Sequence, residues 1–131
     1  MERYEVTLIE LDTQYEFSVQ VEVDEAEASE NITILARVGK DKIESTNYAY
    51  LPAYQEFRDK LLVVGYGIKC NGSRLNAVQS GMMGATDKVY LVEMGRQALM
   101  KDIVHIWDYA DIDVFPDTQQ QNDFFEQWNK R

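Results

Sequence analysis

The segment YEFSVQVEV, from Tyr15 to Val23, constrains the fold more than any other part of the chain, because apolar and polar side chains alternate along it almost without fault. The apolar set is Phe17, Val19, Val21 and Val23. The polar set is Glu16, Ser18, Gln20 and Glu22. Since successive side chains of a strand point to opposite faces of its sheet, the pattern predicts a strand with one buried face and one acidic, exposed face.

Neighbouring segments extend this strand into a meander. Residues 4–11 alternate more loosely, and Asp12-Thr13-Gln14 is short enough to join the two strands as a hairpin. A third strand is predicted over residues 32–38, and residues 39–42 are expected to end it. Residues 24–30 are too polar to be core. We therefore expect an antiparallel sheet with an acidic loop at one end.

The periodicity becomes that of an amphipathic helix near Tyr50. Its apolar stripe comprises Leu51, Tyr54, Phe57, Leu61 and Leu62. Pro52 suits the first helical turn, and Gly65 or Gly67 is expected to end the helix. A strand around Ile68 is predicted to follow.

The C-terminal third contains further strand and helix patterns. Residues 88–94 and 102–107 are rich in β-branched and aromatic residues, which favour strands. Asp117 and Gln120 have the spacing of a capping box, so a last helix is predicted to begin there. Its apolar residues, Phe124, Phe125 and Trp128, are expected to dock on the core. Together the patterns predict an α+β fold, with residues 1–131 forming a single domain of mainly antiparallel sheet and about two packed helices.

Charge is distributed unevenly along the chain, whose formal net charge is -10. Residues 1–30 hold ten acidic residues against Arg3, a balance of -9, whereas residues 31–131 hold thirteen acidic against twelve basic residues, a balance of -1. A surface of this sign repels phosphate backbones and anionic membranes, so we expect neither as a partner. A basic protein is the natural partner; the alternative is an acidic face that only keeps the protein soluble.

Hydropathy and the cysteine and histidine counts indicate the compartment and the cofactors to expect. Residues 1–5 are mostly charged, and no apolar run approaches the roughly 18 residues of a membrane helix. Cys70 and His105 are the only cysteine and histidine, so one chain cannot form an intrachain disulfide or a Cys/His zinc cluster. We expect a soluble, cytoplasmic protein with no metal or other cofactor. These patterns leave the oligomeric state open.

The glycine-rich stretch LVVGYGIKCNGSRLNAVQSGMMG, residues 62–84, resembles known nucleotide-binding motifs only superficially. Gly65-Tyr66-Gly67 lacks a third glycine at the dinucleotide-binding spacing, and no Gly-Lys-Ser/Thr follows. The stretch is therefore interpreted as a helix end and two turns. A contact loop is the functional alternative, since Met82 and Met83 are adaptable apolar groups.

Catalytic arrangements can also be built from these residue types. Cys70 and His105 could pair as nucleophile and base, and Asp108, Asp111 and Asp113 could form a carboxylate cluster for a divalent cation. With His105, such a cluster would suit a small hydrolase or nuclease. A buried cysteine and a solvated turn are the interpretations that we favour.

Residues 71–108 resemble a class of small bacterial immunity proteins. The resemblance is carried by NGSRLNAVQSGMM, a strand ending in glycine (KVYLVEMG) and the segment DIVHIWD. The class includes proteins encoded beside contact-dependent growth inhibition toxins. The resemblance implies a non-enzymatic protein that binds a cognate toxin, and a basic nuclease toxin would complement the acidic N-terminal quarter.

This interpretation places the partner-binding surface on the acidic part of the first hairpin and the loop after it. The candidate residues are Glu16, Glu22, Asp24, Glu25, Glu27 and Glu30. No catalytic residue is then expected. Two alternatives stay open: the carboxylate-dependent enzyme, and a scaffold subunit that uses the acidic strands for assembly.

Overall fold

The computed structural model describes residues 1–25 and 31–130, and its main element is a curled five-stranded antiparallel sheet. Its strands are β1 (Glu2–Glu10), β2 (Glu16–Glu25), β3 (Ile32–Val38), β4 (Asp41–Asn47) and β5 (Tyr66–Ile68). They lie in the order β4-β3-β2-β1-β5. This arrangement confirms the predicted α+β class and meander.

The register of the sheet follows from the alternation. Val21 of β2 lies opposite Tyr4 of β1 and Ala36 of β3, so apolar positions share one face. Helix α1 (Tyr50–Val63) covers that face and buries Tyr54 and Phe57 completely. Burial of this apolar surface supplies the main drive for folding.

Strand β4 is absent from the sequence prediction, which ends the strand pattern at residues 39–42. Gly39 adopts a left-handed φ of +60°, and the chain turns back on itself to pair Arg37 with Lys42. Only Ile43 and Ser45 of β4 are buried, and the Ser45 hydroxyl donates to the Ala53 carbonyl at 2.7 Å. The sequence does not show β4 as an alternating strand because a serine, Ser45, occupies an inward position. The acceptor that satisfies its hydroxyl lies on α1, which the local pattern cannot indicate.

A smaller antiparallel sheet contains β6 (Ala77–Val78), β7 (Lys88–Leu91) and β8 (Ile103–His105), in the order β6-β7-β8. Both β7 and β8 are shorter than the predicted ranges of 88–94 and 102–107. Helix α2 (Thr118–Asn129) begins with the predicted capping box, because the Gln120 amide donates to Asp117 Oδ1 at 2.9 Å. Trp128 is buried as expected, whereas Phe125 stays partly exposed.

The glycine-rich stretch is largely structural. Gly65 ends α1 with a φ of +98°, as a C-terminal glycine does. Gly72 lies in a short 3₁₀ helix, where an added Cβ would meet Ile106 Cγ2 at 2.8 Å and Tyr54 Cε2 at 2.9 Å. The Asn-Gly-Ser turn is therefore packed in the interior rather than exposed.

Candidate functional site

The acidic residues predicted to bind a partner divide between the two faces of the first hairpin. By the alternation of β2, Glu16, Glu22 and Asp24 lie on the face away from α1, and Glu25 lies on the side of Val23, where it pairs with Ile32. Glu27 and Glu30 lie outside the described residues. The described four therefore share a strand but not one face.

The four described acidic residues of β2 differ in whether they form ion pairs. Glu16 and Asp24 are about 26 Å apart along the strand at ~3.3 Å per residue. Glu16 forms an ion pair with Lys69 at 3.4 Å, and Glu22 forms one with Arg3 at 3.7 Å. Within the described ranges, Asp24 and Glu25 form no ion pair, which leaves their charge directed to solvent.

Acidic groups gather at the end of the sheet that carries Asp24. Glu2 pairs in register with Val23, beside Asp24. Burial raises the pKa of Tyr50 to about 12, and the nearby carboxylates of Asp87 and Glu25 add to that rise. We call Glu2, Asp24, Glu25 and Asp87 the acidic end of the sheet.

Lys69 ties the other end of the hairpin to the segment before α2. Its ammonium group lies 3.4 Å from Glu16 Oε2 and 3.1 Å from Asp111 Oδ1, while its side chain is only 8% exposed. Hydrogen bonds to these carboxylates, Asp111 first, hold the Lys69 pKa above its usual range. Glu16 and Asp111 therefore have a structural role that sequence patterns did not indicate.

The two candidate nucleophile and base residues have separate partners. Cys70 is fully buried, with its Sγ 3.1 Å from the Tyr54 hydroxyl, and burial raises the pKa of the thiol. His105 is exposed, and its Nδ1 lies 3.1 Å from Asp87 Oδ2. Among the described residues, no hydrogen bond joins Cys70 to His105.

The Asp108–Asp113 segment does not converge on a cation site. Asp111 accepts a hydrogen bond from Lys69, and all three aspartates are exposed. In the described part of the chain, no group of three or more His, Cys, Asp or Glu side chains is arranged to hold a metal ion.

Cys70 also gives the protein an expected pH dependence. Because burial raises its folded-state pKa, the thiol keeps its proton in the folded protein after the unfolded chain begins to ionise near its usual value of 9.0. The free energy of unfolding should therefore fall as the pH rises above that value. Urea unfolding across this alkaline range should show a smaller fall in Cys70→Ala than in the wild type. Identical slopes in the two proteins would contradict this role of the thiol.

A cleft of about 540 Å³ forms a second surface, which the sequence patterns did not predict. It lies between the start of α1, the 77–85 segment and α2, and we call it the α1–α2 cleft. None of the described residues that line it is charged, although 27% of the chain is. The signal was present in the sequence as two uncharged runs, residues 45–55 and 75–86.

Comparison with other proteins adds no assignment. No protein-family model matches this sequence, and no curated protein matches it. In the described ranges, neither helix has the length and apolar character needed to cross a bilayer. A functional assignment must therefore be argued from the charges and surfaces of this chain.

Proposed function

We propose that this chain is an immunity protein, a non-enzymatic inhibitor that binds and neutralises a cognate toxin in the cytoplasm. The toxin is a basic protein, and a nuclease fits best because its active site must attract phosphate groups. The observation that carries the proposal is charge: residues 1–25 hold eight acidic residues against one arginine. The resemblance of residues 71–108 to immunity proteins supports the same class.

Binding would work through complementary charge. At the acidic end of the sheet, Asp24 and Glu25 have no ion-pair partners among the described residues. A basic surface could therefore pair with these carboxylates without first breaking an ion pair within the protein. Such charges speed encounter and select against acidic partners. Occlusion of a basic active site then requires no chemistry from the inhibitor.

Affinity capture tests this function directly. The tagged protein should retain one basic polypeptide from lysate of the cells that produce it, and high salt should release that polypeptide because screening weakens exposed charge pairs. Expression of that polypeptide should arrest growth, and co-expression of this chain should restore growth. Retention of no such polypeptide at either salt concentration would contradict the proposal.

Charge reversal should locate the contact once the toxin is in hand. Asp24→Lys with Glu25→Lys is expected to weaken binding by about tenfold or more and to reduce its salt dependence. The control is Asp108→Lys with Asp113→Lys, which changes net charge equally at two other exposed positions. Titration calorimetry at low and high salt measures both effects. Equal losses in the two variants would mean that only net charge matters, and would remove the acidic end as the contact.

A further inference from the structure

The α1–α2 cleft has the composition of the centre of a protein interface. Uncharged side chains line it, and aromatic and methionine side chains project beside it. Tyr48 is 80% exposed, Met82 in the adjoining loop is 98% exposed, and Phe125 projects from α2. Interface centres are depleted of charge and enriched in aromatic residues and methionine.

Three of the four amide side chains that line the cleft, those of Gln55, Gln79 and Gln121, form hydrogen bonds within the protein. Gln79 accepts from the Leu51 amide at 3.2 Å and donates to the Thr86 carbonyl at 2.9 Å. Gln121 donates to the Gly72 carbonyl at 2.9 Å and accepts from Gln55 at 3.0 Å. A polar small molecule needs well-placed polar groups, so these walls favour an apolar occupant.

Acidic groups border this apolar floor. The Tyr50 amide donates to the Gly84 carbonyl at 2.7 Å, which places the start of α1 against the loop that leads from Ala85 to Asp87. The cleft therefore adjoins the acidic end of the sheet, to which Asp87 belongs.

Both helical walls carry exposed carboxylates, Glu56 on α1 and Asp123 and Glu126 on α2. Glu56 follows Pro52 by one turn of α1, and Glu126 follows Asn122 by one turn of α2. The sequence of α2 contains no basic residue. A partner segment that crosses this region would therefore meet apolar surface bordered by negative charge.

We infer that the α1–α2 cleft receives an apolar segment of the toxin flanked by Lys or Arg, because an uncharged floor lies directly beside the acidic end of the sheet. This inference rests on the proposed function and names the anchor that would slow release of the complex. Electrostatic capture and apolar anchoring would then act on adjoining surfaces.

Selection from a phage-displayed library of random 12-residue peptides tests the cleft without the toxin. The immobilised full chain should enrich peptides that combine apolar residues with flanking Lys or Arg. Synthetic versions should bind wild-type protein, and Phe125→Glu and Ala85→Trp should each weaken them by about tenfold or more, the first by adding charge and the second by filling the cleft. Val63→Glu adds the same charge at a position 87% exposed at the other end of α1 and should bind as the wild type does.

Three results would overturn the inference. One is failure of the selection: either no motif that combines apolar and basic residues is enriched, or the enriched peptides bind both cleft variants as well as they bind the wild type. Another is a dimer in sedimentation that Phe125→Glu dissociates, because the occupant would then be a second copy. The third is an apolar small molecule that binds the wild type and is lost in both cleft variants, while the same variants leave peptide binding unchanged. Since no toxin enters the experiment, its failure would leave the immunity function to be decided separately by the capture and growth experiments.

Discussion

Trp107→Ala is expected to lower the free energy of unfolding by about 3–5 kcal/mol. The buried indole stacks on Tyr4 with ring centroids 5.6 Å apart and meets Tyr54 edge-on at 5.2 Å. Its Nε1 donates to the Tyr50 hydroxyl at 2.8 Å. Alanine would leave a cavity where the five-stranded sheet, α1 and the segment after β8 meet, and would remove this hydrogen bond.

Urea unfolding measures this loss, and Val114→Ala is the control because Val114 lies nearby in sequence and is 71% exposed. The control should stay within about 0.5 kcal/mol of the wild type. Trp107→Phe should fall between the two, since it keeps ring packing but loses the donor. A loss below about 1 kcal/mol in Trp107→Ala would show that Trp107 does not organise the core.

Gln121→Leu has the second largest expected effect, about 3 kcal/mol of unfolding free energy. The Gln121 amide is buried and joins α2 to two other elements. It accepts from Arg58 Nη2 at 2.8 Å and donates to the Gly72 and Arg74 carbonyls at 2.9 and 2.8 Å. Leucine satisfies none of these groups, and Arg58 Nη1 already has no hydrogen-bond partner in the described part of the chain.

Two further variants separate the causes of this loss. Gln121→Glu keeps an acceptor for Arg58 but removes the donor to the two carbonyls, so its loss should be smaller than that of the leucine variant. Gln127→Leu makes the same change on an exposed face of α2 and should have little effect. Equal stability of Gln121→Leu and Gln127→Leu in urea would contradict the bridging role of Gln121.

In the proposed complex, the acidic end of the sheet and the α1–α2 cleft contribute to different steps of binding. Asp24 and Glu25 are charged and exposed, which suits long-range attraction. Tyr48 and Phe125 present apolar surface, which suits short-range burial. Variants of the acidic end should therefore act mainly on association rate, and variants of the cleft mainly on dissociation rate.

Local patterns in the sequence determined several elements of this fold. Alternation along residues 15–23 predicted β2 and its buried face, and the Asp117–Gln120 spacing predicted the start of α2. The apolar stripe predicted α1, and the glycines after it predicted an end at Gly65 or Gly67, of which the structure uses Gly65. These features follow from neighbouring residues, because strand alternation, helical periodicity and capping act over a few positions.

Only the tertiary structure decided the elements and sites that depend on distant partners. β4 needed Ala53 to satisfy Ser45, and Glu16 needed Lys69, 53 residues later, to become half of an ion pair. The α1–α2 cleft exists because three separate segments converge, although in the sequence two of them, residues 45–55 and 75–86, show only an absence of charge. Local periodicity specifies which face of an element is apolar, whereas packing between elements specifies which groups meet and which surface stays open.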